Sequence, residues 1–154
     1  MDIQVYIEIE QYSNKKYEWD KEKNTLVLDR NLSYPYFYPF SYGFIPNTKA
    51  DDGDELDILV LTNEPLSKNT FINVHIIGML VMEDEKGLDE KILCVLSKDY
   101  EKYNDINHVS YTDLTNIHWF FSNYKNNTPG KWSRVINYQS KEEAIKKYKS
   151  TLLK

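Results

Sequence analysis

The 154-residue sequence contains one cysteine, Cys94. A single thiol excludes an internal disulfide framework and a four-cysteine zinc site. Long hydrophobic runs are missing as well. The best candidate, Val74 to Met82, carries His75 and Gly78 and falls well short of the ~20 residues a helix needs to span a bilayer. No basic segment followed by an apolar stretch opens the sequence, so no secretory signal and no membrane partner are expected, and a cytoplasmic location is. Positive charge is in deficit. Nineteen Lys and Arg against 24 Asp and Glu leave a formal net charge of −5. That disfavours a nonspecific duplex-DNA binder, which needs cations against phosphate. Material for a core is plentiful: 41% of residues are apolar and 28% charged, the balance of a globular chain rather than a disordered one. The length suits one domain, residues 1–154, burying about two-thirds of the surface exposed by the unfolded chain.

Periodicity supplies the elements. Ile3, Val5, Ile7 and Ile9 alternate with mostly polar residues, the pattern of a half-buried strand. Residues 15–20 and 25–29 read as two strands joined by a polar turn, Lys21 to Asn24. Residues 31–50 hold Pro35, Pro39 and Pro46 and a crowd of aromatics between Tyr34 and Tyr42. Proline removes ladder donors, so a packed irregular loop is expected there. Strands follow at 56–61, 71–83 and 90–96. Leu114, Ile117, Phe120, Phe121 and Tyr124 predict a helix over 112–125, and Ser140 to Glu143 is a capping box opening a helix over 141–153. Pro129-Gly130 breaks the chain between the helices, and Arg134 to Tyr138 can return as a strand. Strands first and helices late give an α+β, mainly β fold with a closed or strongly curved sheet and external helices.

The acids are unevenly placed. Asp51, Asp52, Asp54, Glu55 and Asp57 fall within seven residues. Near neutral pH they need solvent or bound cations to coexist. An arbitrary Asp-Gly-Asp is as often a solvated turn. Asp57, however, stands between Leu56 and Ile58 at the start of a strand, where an enclosed carboxylate wants a partner or a metal. Oxygen ligands on a short loop favour magnesium, manganese or calcium over zinc. An EF-hand fits poorly, because counting from Asp52 puts Leu56 at the fifth position and Asp57 at the required glycine. A second cluster, Asp84 to Asp89, is expected to set Asp84 and Asp89 opposite each other at the base of a hairpin, if it is more than an ordinary polar tip. Glu8 is expected on the polar side of its strand, and Lys16 and Glu18 share a face of theirs. Arg30, Lys91, Lys125 and Lys131 supply positive charge, and Tyr38, Tyr42 and Tyr124 supply phenolic donors. Any one of them alone reads as surface or core. Together with the acids they suit a polyanion that binds with divalent metals, such as a phosphate ester or anhydride.

Asp52-Gly53-Asp54-Glu55-Leu56-Asp57-Ile58 resembles the Asp-x-Asp-x-apolar-Asp signature of the soluble family I inorganic pyrophosphatases of bacterial type. Ile7-Glu8-Ile9, Lys16-Tyr17-Glu18, Asp29-Arg30, Phe37-Tyr38-Pro39 and Tyr42-Gly43 resemble family blocks in the same order. So do Asp84-Glu85, Asp89-Glu90-Lys91, Phe120 to Lys125 and Gly130-Lys131-Trp132. The resemblance implies a five-stranded, OB-like closed barrel with external helices, and magnesium-dependent hydrolysis of pyrophosphate to two orthophosphates, with manganese as a possible substitute. It implies that Asp52, Asp57 and Asp89 bind the tight metal, with Asp57 shared with a second. It further implies that Asp84 and Asp89 hold a metal arriving with substrate, and that Glu8 and Glu18 hold or orient another, partly through water. Asp54 would be the general base. Lys16, Arg30, Tyr124 and Lys125 would bind phosphate, Lys91 would lie near both acids and phosphate, and Tyr42 and Tyr38 would support them. A homo-oligomer is expected, a hexamer as in bacterial members. Glu55 stands where proline is common, and the sequence is expected to lack the N-terminal leader of typical bacterial members.

Two other classes account for part of the pattern. A catalytically silent divalent-metal-binding barrel explains the acids but leaves Lys16, Arg30, Lys91 and Lys125 without a task. An OB-type module for single-stranded nucleic acid suits the aromatics but not the net charge of −5; no nucleic-acid partner is expected.

Overall fold

In the computed structural model, which describes residues 1–154, strand β1 (Ile3–Ile9) forms where alternation predicts it. It is buried on both faces rather than one. Its even-numbered side is roofed by the hairpin of β2 (Lys15–Asp20) and β3 (Thr25–Asn31). There the Tyr6 ring meets Trp19 edge-on at 5.5 Å, and Glu8 is buried against the hairpin instead of facing a polar side. Polar letters at alternate positions mark an exposed face only when nothing else covers it.

The 31–50 segment also differs from expectation. It contains β4 (Ser41–Ile45), which runs antiparallel to β1 on one side and to β5 (Leu56–Val60) on the other. Pro39 precedes it and Pro46 follows it, so no ladder donor is lost within the strand. Gly43 is required by the close approach of β1: a Cβ there would stand 1.8 Å from the Tyr6 carbonyl oxygen.

The parallel pairing of β5 with β7 (Gly87–Leu96) and the antiparallel pairing of β7 with β6 (Thr70–Asp84) carry the sheet round. The start of β6 then pairs back onto β1. The order β1-β4-β5-β7-β6 therefore closes into a ring of five strands, the predicted OB-like barrel. The length of β6 makes closure possible: Thr70–Val74 serves β1, Val74–Asp84 serves β7, and Met79–Asp84 also serves β8 (Ser133–Gln139) outside the ring. Alternate residues of β5 and β7 feed two cores. Leu59 and Leu93 join Phe120 and Phe121 of α1 (Tyr111–Asn123), while Ile58, Val60 and Ile92 join Ala144 of α2 (Lys141–Thr151). Each helix starts on a serine cap, Ser110 accepting from Asp113 N–H and Ser140 from Glu143 N–H, as hydroxyl caps do.

Candidate active site

Three strand ends and two turns bring the charged residues together. Register explains the central group. Asp57 on β5 is the parallel partner of Lys91 on β7, and Asp89, two residues before Lys91, shares its face. The Lys91 side chain is 3% exposed. Its Nζ donates to Asp57 Oδ2 at 2.9 Å, Asp89 Oδ2 at 3.0 Å and the Tyr42 hydroxyl at 2.7 Å. Burial alone would lower its pKa, but the charges of Asp57 and Asp89 hold it well above the ordinary lysine range. Burial pushes the Asp57 carboxyl up against the pull of Lys91.

The hairpin of β6 and β7 is tighter than expected. Asp84 pairs with Gly87 and Asp89 with Met82, so Asp84 and Asp89 are diagonal neighbours on one face rather than directly opposed. The two-residue turn Glu85-Lys86, with Gly87 at φ +126°, shifts the register by two residues from a turn spanning 85–88. Lys125, just beyond α1, reaches Asp84 Oδ2 at 3.0 Å and Glu85 Oε2 at 3.6 Å. Burial would raise the pKa of Asp84; hydrogen bonds from Lys125 and from the Lys86 N–H lower it overall. Glu85, quoted within a family block but given no role by the sequence, also accepts from Trp132 N–H at 3.1 Å.

On the hairpin roof a bulge in β3 places Asp29 outside the pairing of Lys16 with Arg30. Lys16 Nζ bridges Glu18 at 2.6 Å and Asp29 at 3.2 Å. Arg30 Nε is buried without a hydrogen-bond partner, Asp29 Oδ2 standing 3.9 Å away. Glu8 Oε2 accepts from Trp19 N–H at 2.9 Å. Burial nevertheless pushes its carboxyl up to about 8, with Asp57, Glu18 and Glu55 adding to the rise. In the Asp51–Asp54 turn, Gly53 takes φ +90°, and Asp52 Oδ1 accepts from Asp54 N–H at 3.0 Å. Asp54 stays solvent-accessible at the tip; partial burial, then Asp52 and Glu55, raise its carboxyl.

These groups form one electrostatic unit. The charge of Asp57 raises Glu8, Tyr38, Tyr42 and Tyr124 alike, burial being the first cause in each, and the Tyr38 and Tyr42 rings meet at a tilt of 49° with centroids 5.3 Å apart. No three carboxylates close on a single point, because Lys91 lies between Asp57 and Asp89 and Lys125 beside Asp84. The donor set suits a hard divalent cation: all-oxygen side chains, with Glu8 and Asp57 raised by burial and then by neighbouring acids. Cys94, buried in β7 with a thiol pushed above its ordinary range by burial, is remote in kind from this chemistry.

Fold and site together define an OB-like barrel whose strand ends carry a cleft of interleaved acids, cations and tyrosines. The sequence model of the inorganic pyrophosphatase family matches residues 5–154. The inorganic pyrophosphatase of Aquifex pyrophilus is 41% identical over 152 residues, covering 96% of this chain and 86% of that one. That of Nanoarchaeum equitans is 44% identical over 150 residues, covering 95% and 92%. The solved structure of the Helicobacter pylori enzyme superposes with a TM-score of 0.94 at 38% identity, covering 97% of this chain and 91% of that chain. The chain belongs to the inorganic pyrophosphatase family. No helix in it is long and apolar enough to cross a membrane.

Proposed function

We propose that the chain hydrolyses inorganic pyrophosphate to two orthophosphates with Mg2+, Mn2+ being a workable substitute. The observation that carries this reading is the buried Lys91 held among Asp57, Asp89 and Tyr42, joined to the Lys125–Asp84 pair. A pure cation binder has no use for lysines buried among its ligands. A site for a metal-bound polyanion needs both signs of charge within a few ångströms.

In this reading Asp52, Asp57, Asp84 and Asp89 hold the cations, with Glu8 and Glu18 at the roof. A divalent cation held there would neutralise phosphate oxygens and lower the pKa of a water bound to it. Lys16, Arg30, Lys125 and the Tyr124 hydroxyl bind the phosphoryl oxygens; the unpaired Arg30 Nε is a donor without an acceptor until an anion arrives. Asp54, with its raised carboxyl, accepts the proton as the water oxygen bonds to phosphorus. The bridging P–O bond breaks and the second phosphate leaves, stabilised by the lysines. Lys91 holds Asp57 and Asp89 through its ammonium group, and Tyr38 and Tyr42 support the site. A cytoplasmic site of action accompanies the reading, supported by a buried free thiol in place of disulfides. So does assembly into a homo-oligomer, a hexamer, supported by the half-exposed Phe37 and Trp119 on the groove beside α1.

The test is phosphate release from pyrophosphate with and without Mg2+, with ATP in parallel. Rapid Mg2+-dependent release from pyrophosphate and little from ATP is expected. Asp54→Asn should retain the fold and lose on the order of 100-fold or more in turnover. No release from a folded, Mg2+-binding sample would leave a metal-binding barrel as the function, and full turnover in Asp54→Asn would remove that residue from the base role.

A further inference from the structure

Helix α2 carries a lysine on its packed side. Ala144, Lys147 and Thr151 follow one another at steps of three and four, a single stripe of a helix. Ala144 and Thr151 are buried, and the Lys147 side chain is 18% exposed. Its ammonium joins two acids on separate elements: Glu90 Oε2 on β7 at 2.6 Å and Asp51 Oδ2 at the head of the acidic turn at 3.3 Å. Glu90 follows Asp89 and Asp51 precedes Asp52, and the five side chains line one recess with Asp57. Burial would lower the Lys147 pKa; Glu90 and then Asp51 outweigh it and keep the amine charged.

The helix behind this lysine is fixed at its far end. Lys49 N–H donates to the Thr151 carbonyl at 2.8 Å and Leu153 N–H to the Asn47 carbonyl at 2.9 Å, while Thr48 and Leu152 form a β-bridge. The segment entering the acidic turn is thus already stitched to the end of α2, and Lys147 adds a charged attachment further along. It bonds Asp51 and Glu90, leaving the oxygens of Asp52, Asp57 and Asp89 untouched. The counter-charge that quiets the repulsion in the turn therefore comes from a group that takes no ligand atom.

We propose that Lys147 is a positioning residue: it holds the Asp51–Asp54 turn against β7 in the metal-free protein, so that Asp52 is in place beside Asp57 and Asp89 before a divalent cation arrives. The metal part of this rests on the function proposed above; the tether itself is a property of the metal-free chain.

Hydrogen exchange of residues 49–56 in EDTA, with Mg2+ titration calorimetry, compares the wild type with Lys147→Met and Lys147→Arg. Lys147→Met should speed exchange in that segment by about tenfold, and saturating Mg2+ should restore protection. Mg2+ binding should weaken several-fold while turnover at saturating Mg2+ stays within twofold, and Lys147→Arg should recover both readouts. Unchanged exchange in the metal-free variant overturns the tether. So does tighter Mg2+ binding, which would make Lys147 a competing charge. Should Lys147→Met fail to fold, Glu90→Gln and Asp51→Asn must show the same exchange signature or the tether is overturned. A wild type that binds no Mg2+ overturns the functional reading instead, and the exchange comparison still decides the tether.

Discussion

A carboxylate buried by a hairpin gives the site its clearest pH signature. Glu8 ionises near 8 in the folded chain and near its ordinary value when unfolded. Between roughly pH 4.5 and 8 the folded state keeps a proton that the unfolded state has lost, so unfolding becomes easier as pH rises through that window, and the full burden of the buried charge is reached above 8. Glu8→Gln keeps an acceptor for the Trp19 N–H and removes the charge. In EDTA the variant should match the wild type near pH 4 and become the more stable of the two as pH rises, by about 1–3 kcal/mol at pH 9. Urea unfolding at pH 4, 6.5 and 9 measures the gap; a gap that does not widen with pH means that Glu8 is not held out of water. Bound divalent cation should narrow it, since positive charge beside a carboxylate lowers its pKa.

Among the elements, the junction of β1 with β4 is the least tolerant. Gly43 faces Ile7 across the ladder, and the Tyr6 carbonyl occupies the space a methyl group would need. The obstacle is backbone in a closed ring, which cannot step aside as a side-chain end can. Gly43→Ala should cost about 3 kcal/mol or more. Gly53→Ala meets nothing within 4 Å and suffers only from φ +90°, so it should cost about 1 kcal/mol. Denaturant midpoints of the two variants test the order, and a Gly43→Ala midpoint at or above that of Gly53→Ala would mean the strands can part locally. The same junction marks where sequence reading stops. Period-two alternation made β1 legible, and the caps at Ser110 and Ser140 made the helix starts legible. β4 was hidden because its five residues sit between prolines whose missing donors lie just outside it. The roof over Glu8 was hidden because a covering hairpin leaves no mark in the covered strand. Candidates for the site could be proposed from their ordered blocks. Their partners could not be, since the lysine between Asp57 and Asp89 follows from a β5–β7 pairing that local pattern does not encode. Lys147 had no signal beyond its place in a helical stripe with Ala144 and Thr151.

At the scale of the molecule, a net charge of −5 understates the local imbalance, because the strand ends gather acids, and the carboxyls of Glu8, Asp54 and Asp57 are pushed up by burial and by neighbouring acids. Self-repulsion in one region lowers the stability of the whole barrel, as the ring of five strands unfolds through the same elements that hold the acids. A divalent cation bound only by the folded chain recovers that loss by mass action, about 2.7 kcal/mol at one hundred times its dissociation constant. For a domain of this size that corresponds to a rise of roughly 5–11 °C in Tm. Saturating Mg2+ should produce it, and NaCl at equal ionic strength should not, because screening acts on exposed charges and barely reaches the pairs around the buried Lys91. Ca2+ offers the same hard charge with looser geometry, so it should raise Tm comparably while inhibiting pyrophosphate hydrolysis in competition with Mg2+. Thermal unfolding in the three salts, run beside phosphate release, separates the two effects. Equal stabilisation by NaCl would mean diffuse repulsion rather than a cation site, and full activity in Ca2+ would mean that the reaction does not depend on the tighter coordination of Mg2+.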